Sequence, residues 1–462
     1  MVSMANLRAR VSVPIKRVAV IGAGWAGCAA AVRLAERGTQ VTLIEASRTL
    51  GGRARSVELR DRTIDNGQHI LLGAYRRTLG MLCQVGVDPR VALLRLPLQM
   101  RYPTGTGMTL VAPRLPAPMH ILLGLLHATG LQRADKLALL RFSSAARWMG
   151  WHLNTDCSVT ELLQRFDQTE RLVQLMWRPL CIAALNTPPE RASAQIFLNV
   201  LQDSLGARRA SSDMLLPRCD LSALFPQHAA QYVCEQGGVI KIGNRVRQID
   251  RVGGRWRLGY RTQDSDVGAT AEDQVDQDTF DQIIIATDVR SAAAILAPHT
   301  DTEVLAKFRY EPITTCYLQY ASDCRLPEVF YALVDQQSLQ QPGQFVFDRG
   351  QLDPNSAGLL AVVISASCGI VDIEHAALVD AIANQLATAF DRADLRTPKW
   401  GKVISEKRAT FSCTPGLVRP SNTTALAGVI LAGDYTESRY PATLEAAVMS
   451  GINAADLAIS AA

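Results

Sequence analysis

Residues 17–45 read RVAVIGAGWAGCAAAVRLAERGTQVTLIE, and the order of residue types in this stretch decides the fold. RVAVI is a short β-branched run, AGWAGCAAAVRLAERG an alanine-rich helical pattern closed by Gly38, and QVTLIE a second buried strand. Together they predict one βαβ unit. Gly22, Gly24 and Gly27 fall between the first strand and the helix, and Glu45 closes the second strand. Gly22 permits the tight turn, Gly24 lets backbone N–H groups approach a pyrophosphate at the positive helix end, and Gly27 allows close helix-to-strand packing. An acid at position 45 accepts hydrogen bonds from ribose hydroxyls and repels a 2′-phosphate. A dinucleotide is the expected ligand.

The next segment selects which dinucleotide. TLGGRARS, residues 49–56, puts Gly51, Gly52 and Arg53 directly after the ribose-binding strand. The glycine pair lets the chain pass close to a cofactor, and Arg53 supplies a charge-assisted contact to phosphate. A simple nicotinamide dehydrogenase has no reason for a second phosphate-facing loop, so FAD is expected. Near the other end, Gly433 and Asp434 follow the strand-like VILAG, and a helix is expected from Thr443 and Leu444. Its N–H groups, aimed at the flavin's pyrimidine edge, would stabilise the charge of the reduced ring, and Asp434 would hold a ribityl hydroxyl. Taken singly, these residues read equally well as a turn acid and a cap.

Between the two ends, residues 239–251 read as two strands, 254–261 as a third and 282–288 as a return strand, while the polar stretch 262–281 reads as a surface loop or hairpin tip. The excursion from about 75 to 210 opens with a hairpin signal in LQMRYPTGTGMTLV and continues as helices. A second excursion, about 300–405, alternates strand-like runs (ITTCYLQY, GQFVFD, GLLAVVISAS) with a helix at 371–389. The expected fold is α/β: a Rossmann-like FAD-binding domain from 15–74, 211–299 and 406–462, with a discontinuous α+β substrate domain from 75–210 and 300–405. FAD would extend across the carboxyl edge of the sheet, with its ring at the domain interface.

Composition bounds the partners. At 462 residues and 48% hydrophobic content the chain can bury a large core, and a net charge of +5 without a long lysine-arginine block argues against nucleic acid. The ten cysteines are scattered without a CxxC pair, and no secretory signal precedes the first strand, so a reduced, cytoplasmic compartment is expected. None of the seven histidines sits at i, i+4 spacing with another, and no metal is expected. The longest apolar stretch, Met119 to Leu131, is too short to span a bilayer. This leucine-rich stretch and the helix after it, carrying Arg133, Lys136, Arg141 and Arg147, admit two readings: a helix dipping into the inner face of the cytoplasmic membrane, or a core helix.

VAVIGAGWAGCAAAVRLAERG, LIEASRTLGGRARS and LAGDYTESRYPATLEAAVMSG, in this order, resemble the amine oxidase and phytoene desaturase superfamily of flavoproteins. More narrowly, TIDNGQHILLGAYRRTLGML (63–82), LCIAALNTPPERASAQIFLNVL (180–201) and MLLPRCDLSALF (214–225) are similar to the hydroxysqualene dehydroxylase family of bacterial hopanoid pathways. The resemblance implies that Gly22, Gly24, Gly27, Glu45, Gly52, Arg53 and Asp434 bind FAD and that Val246 contacts the adenine through its backbone. Ala446 departs from the glycine of many relatives. The implied activity is reductive. An allylic hydroxyl on an apolar C30 isoprenoid is replaced by hydrogen to give squalene, and upstream squalene-pathway enzymes become expected partners. Departure of hydroxide calls for a proton donor, for which His69 and Asp65 are the candidates. Equally, His69 and Gln68 would only pack around the cofactor, Asp65 would orient a loop, and Tyr440 would either line the ring face or stand in an exposed loop. Three alternatives stay open: a carotenoid-type desaturase, a non-catalytic flavin-binding or sensor protein, and, more weakly, an amine oxidase, which the 6% aromatic content disfavours.

Overall fold

In the computed structural model the described residues are 16–59, 62–103, 105, 107–206, 208–262, 274–336 and 341–460. Strand β1 (Arg17–Ile21), helix α1 (Trp25–Glu36) and strand β2 (Gln40–Ile44) form the expected βαβ unit. Both strands carry four consecutive buried residues because the sheet is covered on both faces, the pattern of a parallel sheet. β1 lies at its centre, pairing in parallel with β2 and with Gln282–Ile285; Val239–Lys241 and Val429–Leu431 add the edges, also in parallel. α1 buries ten of its 12 residues, nearly all small. That allows two other helices, Pro226–Glu235 and Leu444–Ser460, to pack closely on it.

A second five-stranded sheet is antiparallel, in the order Phe330–Ala332, Phe345–Asp348, Leu359–Ser365, Tyr310–Gln319, Trp400–Phe411. Its two-residue period separates the faces of the strand Tyr310–Gln319. Cys316 and Leu318 pack in a cluster with Leu378, Ile382 and Leu386 of the helix His375–Phe390. Tyr317 belongs to the opposite cluster, with Ile64, Met214, Leu216, Phe345 and Phe347. The inner face of this sheet therefore meets the segment that follows the parallel sheet's strand β2.

The hairpin expected around Pro103 and Gly107 is present, with Gln99–Arg101 paired to Thr109–Val111. Residues 244–252, 255–262 and 274–280 form a separate antiparallel sheet. Of the two readings of 262–281, a surface loop or an extended hairpin tip, the antiparallel pairing of 274–280 with 255–262 is that of a hairpin. Residues 274–280 are a strand, because pairing with a neighbouring strand replaces the missing hydrophobic alternation. Residues 263–273 of that expectation lie outside the described residues. The helix expected from 371 begins at His375, residues before it being turns.

Candidate active site

The fingerprint glycines act through space as well as backbone freedom. Gly22 has φ +99°, and a Cβ there would lie 2.7 Å from the Ala286 carbonyl oxygen; one on Gly27 would lie 1.8 Å from that of Gly22. Gly24 is different. It caps α1 without a side-chain hydrogen bond, at φ −71°, and the nearest atom to a Cβ there is Gly52 Cα at 3.9 Å. Gly51 and Gly52, at φ +114° and +63°, bring the second loop against this turn, where the Gly51 N–H donates to the Ala23 carbonyl at 2.9 Å. Gly24 and Gly52 thus face each other beside the uncapped N–H groups of α1, a cradle that side chains would fill and a pyrophosphate fits.

Glu45 meets the same turn. Its Oε2 accepts from the Ala23 N–H at 2.7 Å and its Oε1 from Ser47 N–H at 2.8 Å, so this carboxylate braces the loop from which it would also reach a ribose. The Asn244 N–H donates to the Glu45 carbonyl at 2.9 Å. That bond starts the strand carrying buried Val246, at a register shift between Val246 and Gln248.

Arg53 and Asp434 are 381 positions apart and adjacent in space, with Arg53 Nη2 donating to Asp434 Oδ1 at 2.5 Å and Nη1 to the Ala409 carbonyl at 2.8 Å. Gly433, at φ +155°, has no room for a Cβ, which would lie 2.4 Å from the Tyr435 ring. Thr443 caps the helix Leu444–Ser460, its Oγ1 accepting from the Ala446 N–H at 3.2 Å. Two residues that no sequence pattern marked hold this end of the site. Arg419 donates to the carbonyls of Asp434, Ser438 and Tyr440 at 2.5, 3.0 and 2.6 Å, with its guanidinium 4.9 Å from the Phe411 ring centre. Buried Glu445 accepts from Arg77 N–H, Thr78 N–H and Thr78 Oγ1, capping the helix Arg76–Gln84. Tyr440 donates its hydroxyl to Asp203, which ties the loop to the helix Ala194–Ser204.

The segment 65–69 comes back against the Gly51–Arg53 loop: Asn66 Nδ2 donates to the Arg53 carbonyl at 2.7 Å. Asp65 is only 3% exposed. Its Oδ1 accepts from Leu221 N–H at 2.7 Å, and burial pushes the carboxyl up to about 7 although nearby Arg349 opposes the shift. It lines a cavity of about 410 Å³ together with Tyr317, Arg349, Arg62 and Arg218. His69 Nδ1 lies 2.8 Å from the Gly67 carbonyl, which can only accept, so Nδ1 carries the hydrogen and Nε2 is an acceptor. Burial lowers this imidazole's pKa and keeps it neutral. Gln68 Oε1 accepts from Arg349 Nη1 at 3.1 Å. On the inner face of the antiparallel sheet, Thr315 Oγ1 is buried without a hydrogen-bond partner among the described residues, 3.7 Å from where a Gly67 Cβ would stand; the Tyr435 hydroxyl is likewise orphaned. A glycine-lined cradle leading to orphaned hydroxyls suits a long, polar-edged cofactor.

The model of the family described as flavin containing amine oxidoreductase matches residues 25–459. The chain belongs to this family. It is an FAD-dependent oxidoreductase with the family fold. Over 96% of its length it is 30% identical to a hydroxysqualene dehydroxylase of Rhodopseudomonas palustris and 29% identical to one of Sinorhizobium fredii, covering 99% of each. It is 23% identical to a zeta-carotene desaturase of Synechocystis, over 95% of this chain and 96% of that one. In fold it is similar to the cyclohexylamine oxidase of Brevibacterium oxydans, with a TM-score of 0.64 at 15% identity over 97% and 99% of the two chains.

Proposed function

We propose that this enzyme reductively removes the hydroxyl of hydroxysqualene to give squalene, a step of triterpenoid and hopanoid synthesis. The observation that carries this reading is the end-to-end similarity to hydroxysqualene dehydroxylases, at 29–30% identity against 23% for the carotene desaturase. In this reading Gly22, Gly24, Gly27, Gly51 and Gly52 clear the path of the FAD pyrophosphate, Glu45 and Val246 hold the adenosine half, and Arg53, Gly433, Asp434, Thr443 and Leu444 hold the flavin half. Residues 75–210 and 300–405 hold the isoprenoid, and the enzyme works at the periphery of the cytoplasmic membrane, where such a substrate dissolves.

Reduced FAD supplies the hydride. The chain must then protonate the departing hydroxyl and keep water from the carbon left behind. Asp65 suits the protonation, because burial raises its carboxyl to about 7, so that part of it holds a proton near neutral pH while it lines a cavity. Neutral His69, with Nδ1–H committed to Gly67, serves as an acceptor that orients substrate or cofactor rather than as the acid. The apolar residues on the inner face of the antiparallel sheet, among them Phe345 and Phe347, suit the exclusion of water.

A carotenoid-type desaturase is the second reading, favoured by the full-length similarity to zeta-carotene desaturase. The test is anaerobic. The purified flavoprotein is reduced, hydroxysqualene is added, and the extract is examined while the flavin spectrum is followed. Squalene in amounts matching flavin reoxidation is expected. Reoxidation without squalene, or no reoxidation, rejects the substrate and brings desaturation forward.

A further inference from the structure

Residues 112–150 contain five basic residues, Arg114, Arg133, Lys136, Arg141 and Arg147, and a single acid, Asp135. Asp135 is buried, accepting from the Gln132 N–H and from Thr169 Oγ1 inside the fold, so the outward charge of this region is wholly positive. The helix Met119–His127 reads MHILLGLLH, yet only His120, Gly124 and Leu125 of it are buried. It rests on the strand Thr109–Val111 through Gly124, where a Cβ would lie 3.2 Å from the Val111 carbonyl oxygen. Ile121, Leu122 and Leu123 are half-buried, and Met119 and Leu126 are exposed. Met119 is 47% exposed and Leu126 61%; on the following helix, Arg133–Trp148, Leu137 is 59% and Trp148 90% exposed, the last being the most exposed large hydrophobic side chain among the described residues. The helices are joined across the turn, Lys136 Nζ donating to the Leu126 carbonyl at 2.8 Å.

A core helix of nine residues with six leucine, isoleucine or methionine side chains would bury most of them, and this one does not. We infer that Met119–His127 and the outer face of Arg133–Trp148 form a docking surface for an anionic phospholipid bilayer, with Met119, Leu126, Leu137 and Trp148 entering the headgroup boundary and Arg133, Arg141 and Arg147 against lipid phosphates. Charge decides for this occupant. A second copy of the chain would bring two uniformly basic faces together, whereas an anionic bilayer complements both the cationic rim and the apolar centre. Neither helix is long and apolar enough to cross a membrane, so the contact is interfacial. The inference stands on this surface alone and survives a different substrate.

The test uses the FAD-loaded enzyme and vesicles without substrate, so its outcome is separate from that of the dehydroxylation assay. Flotation with phosphatidylglycerol–phosphatidylcholine vesicles is measured against pure phosphatidylcholine. The enzyme should float with the anionic vesicles and lose that binding as salt rises. Leu126→Asp combined with Leu137→Asp should weaken binding on the order of tenfold or more, with the flavin spectrum unchanged. Brominated lipid should quench tryptophan emission in the wild type and much less in Trp148→Phe. Arg133→Glu with Arg141→Glu should abolish the preference for anionic vesicles. An enzyme that stays in the soluble fraction with anionic vesicles, or an aspartate variant that floats like the wild type, overturns the proposal. So does an aspartate variant whose only change is from dimer to monomer.

Discussion

Single residues of the cradle divide into those that hold the fold and those that hold room for the cofactor, and the two classes fail differently. Gly24 tolerates a Cβ sterically and conformationally, since the nearest atom would be 3.9 Å away and its φ is −71°. Gly24→Ala should therefore keep its circular dichroism and melting cooperativity while FAD affinity falls by about tenfold or more, read from flavin release on dilution. Gly27→Val should instead lower the melting temperature, because its Cβ meets the Gly22 carbonyl oxygen at 1.8 Å. Asp65 makes a pH statement. Well below the unfolded value of 3.8 the carboxyl is protonated in folded and unfolded chains alike. As pH rises toward 7 only the unfolded chain ionises, so stability falls across this window by roughly 4 kcal/mol and levels off above it. Asp65→Asn should flatten that slope in denaturant titrations at pH 4 and 8. If Asp65 is the proton donor, the same substitution should cost about a hundredfold in turnover and leave FAD binding intact; squalene formation near the wild-type rate would transfer the role to another group.

At the scale of elements, the site depends on a helix pair whose closeness is written in small residues. A Cβ on Gly451 of the helix Leu444–Ser460 would lie 2.1 Å from the Ala26 carbonyl oxygen in the first turn of α1. Gly451→Val should push the two helices apart and disturb both halves of the cofactor site at once, seen as a lower melting temperature together with loss of bound FAD. The same helix caps another. Glu445 accepts three hydrogen bonds at the start of the helix Arg76–Gln84 while almost fully buried. Glu445→Ala leaves those donors unpaired and should destabilise the protein by roughly 2–3 kcal/mol in urea unfolding. Helix existence was readable here from alanine and leucine spacing; the strand at 274–280 was not, because the ladder to 255–262 that fixes it leaves no alternating pattern in its own sequence.

Across the whole molecule, the chain closes on itself at one end of the cradle, where Arg53 from the second glycine loop meets Asp434 from the turn after the last strand. Arg53→Gln and Asp434→Asn should each weaken FAD retention, and the double variant should lose clearly less than the sum of the two, since either change alone breaks the shared ion pair. Additive losses would mean the two residues act independently. The βαβ unit, the glycines and acid of its turn, the second glycine loop and the closing strand, loop and helix were all legible in the order of residues. Each of these depends on local spacing, on backbone freedom or on a residue's fixed distance from its own strand end. Three-dimensional packing alone shows that Arg53 pairs with Asp434, that Arg419 and Glu445 pin the loop after Gly433 and the helix Arg76–Gln84, that Asp65 is buried beside Arg349, and that Thr315 presents a hydroxyl without a hydrogen-bond partner among the described residues next to Gly67. These depend on which side chains the two sheets bring face to face and on how much water is removed from around them, quantities that arise from contacts between residues far apart in the chain and leave no periodic trace along it.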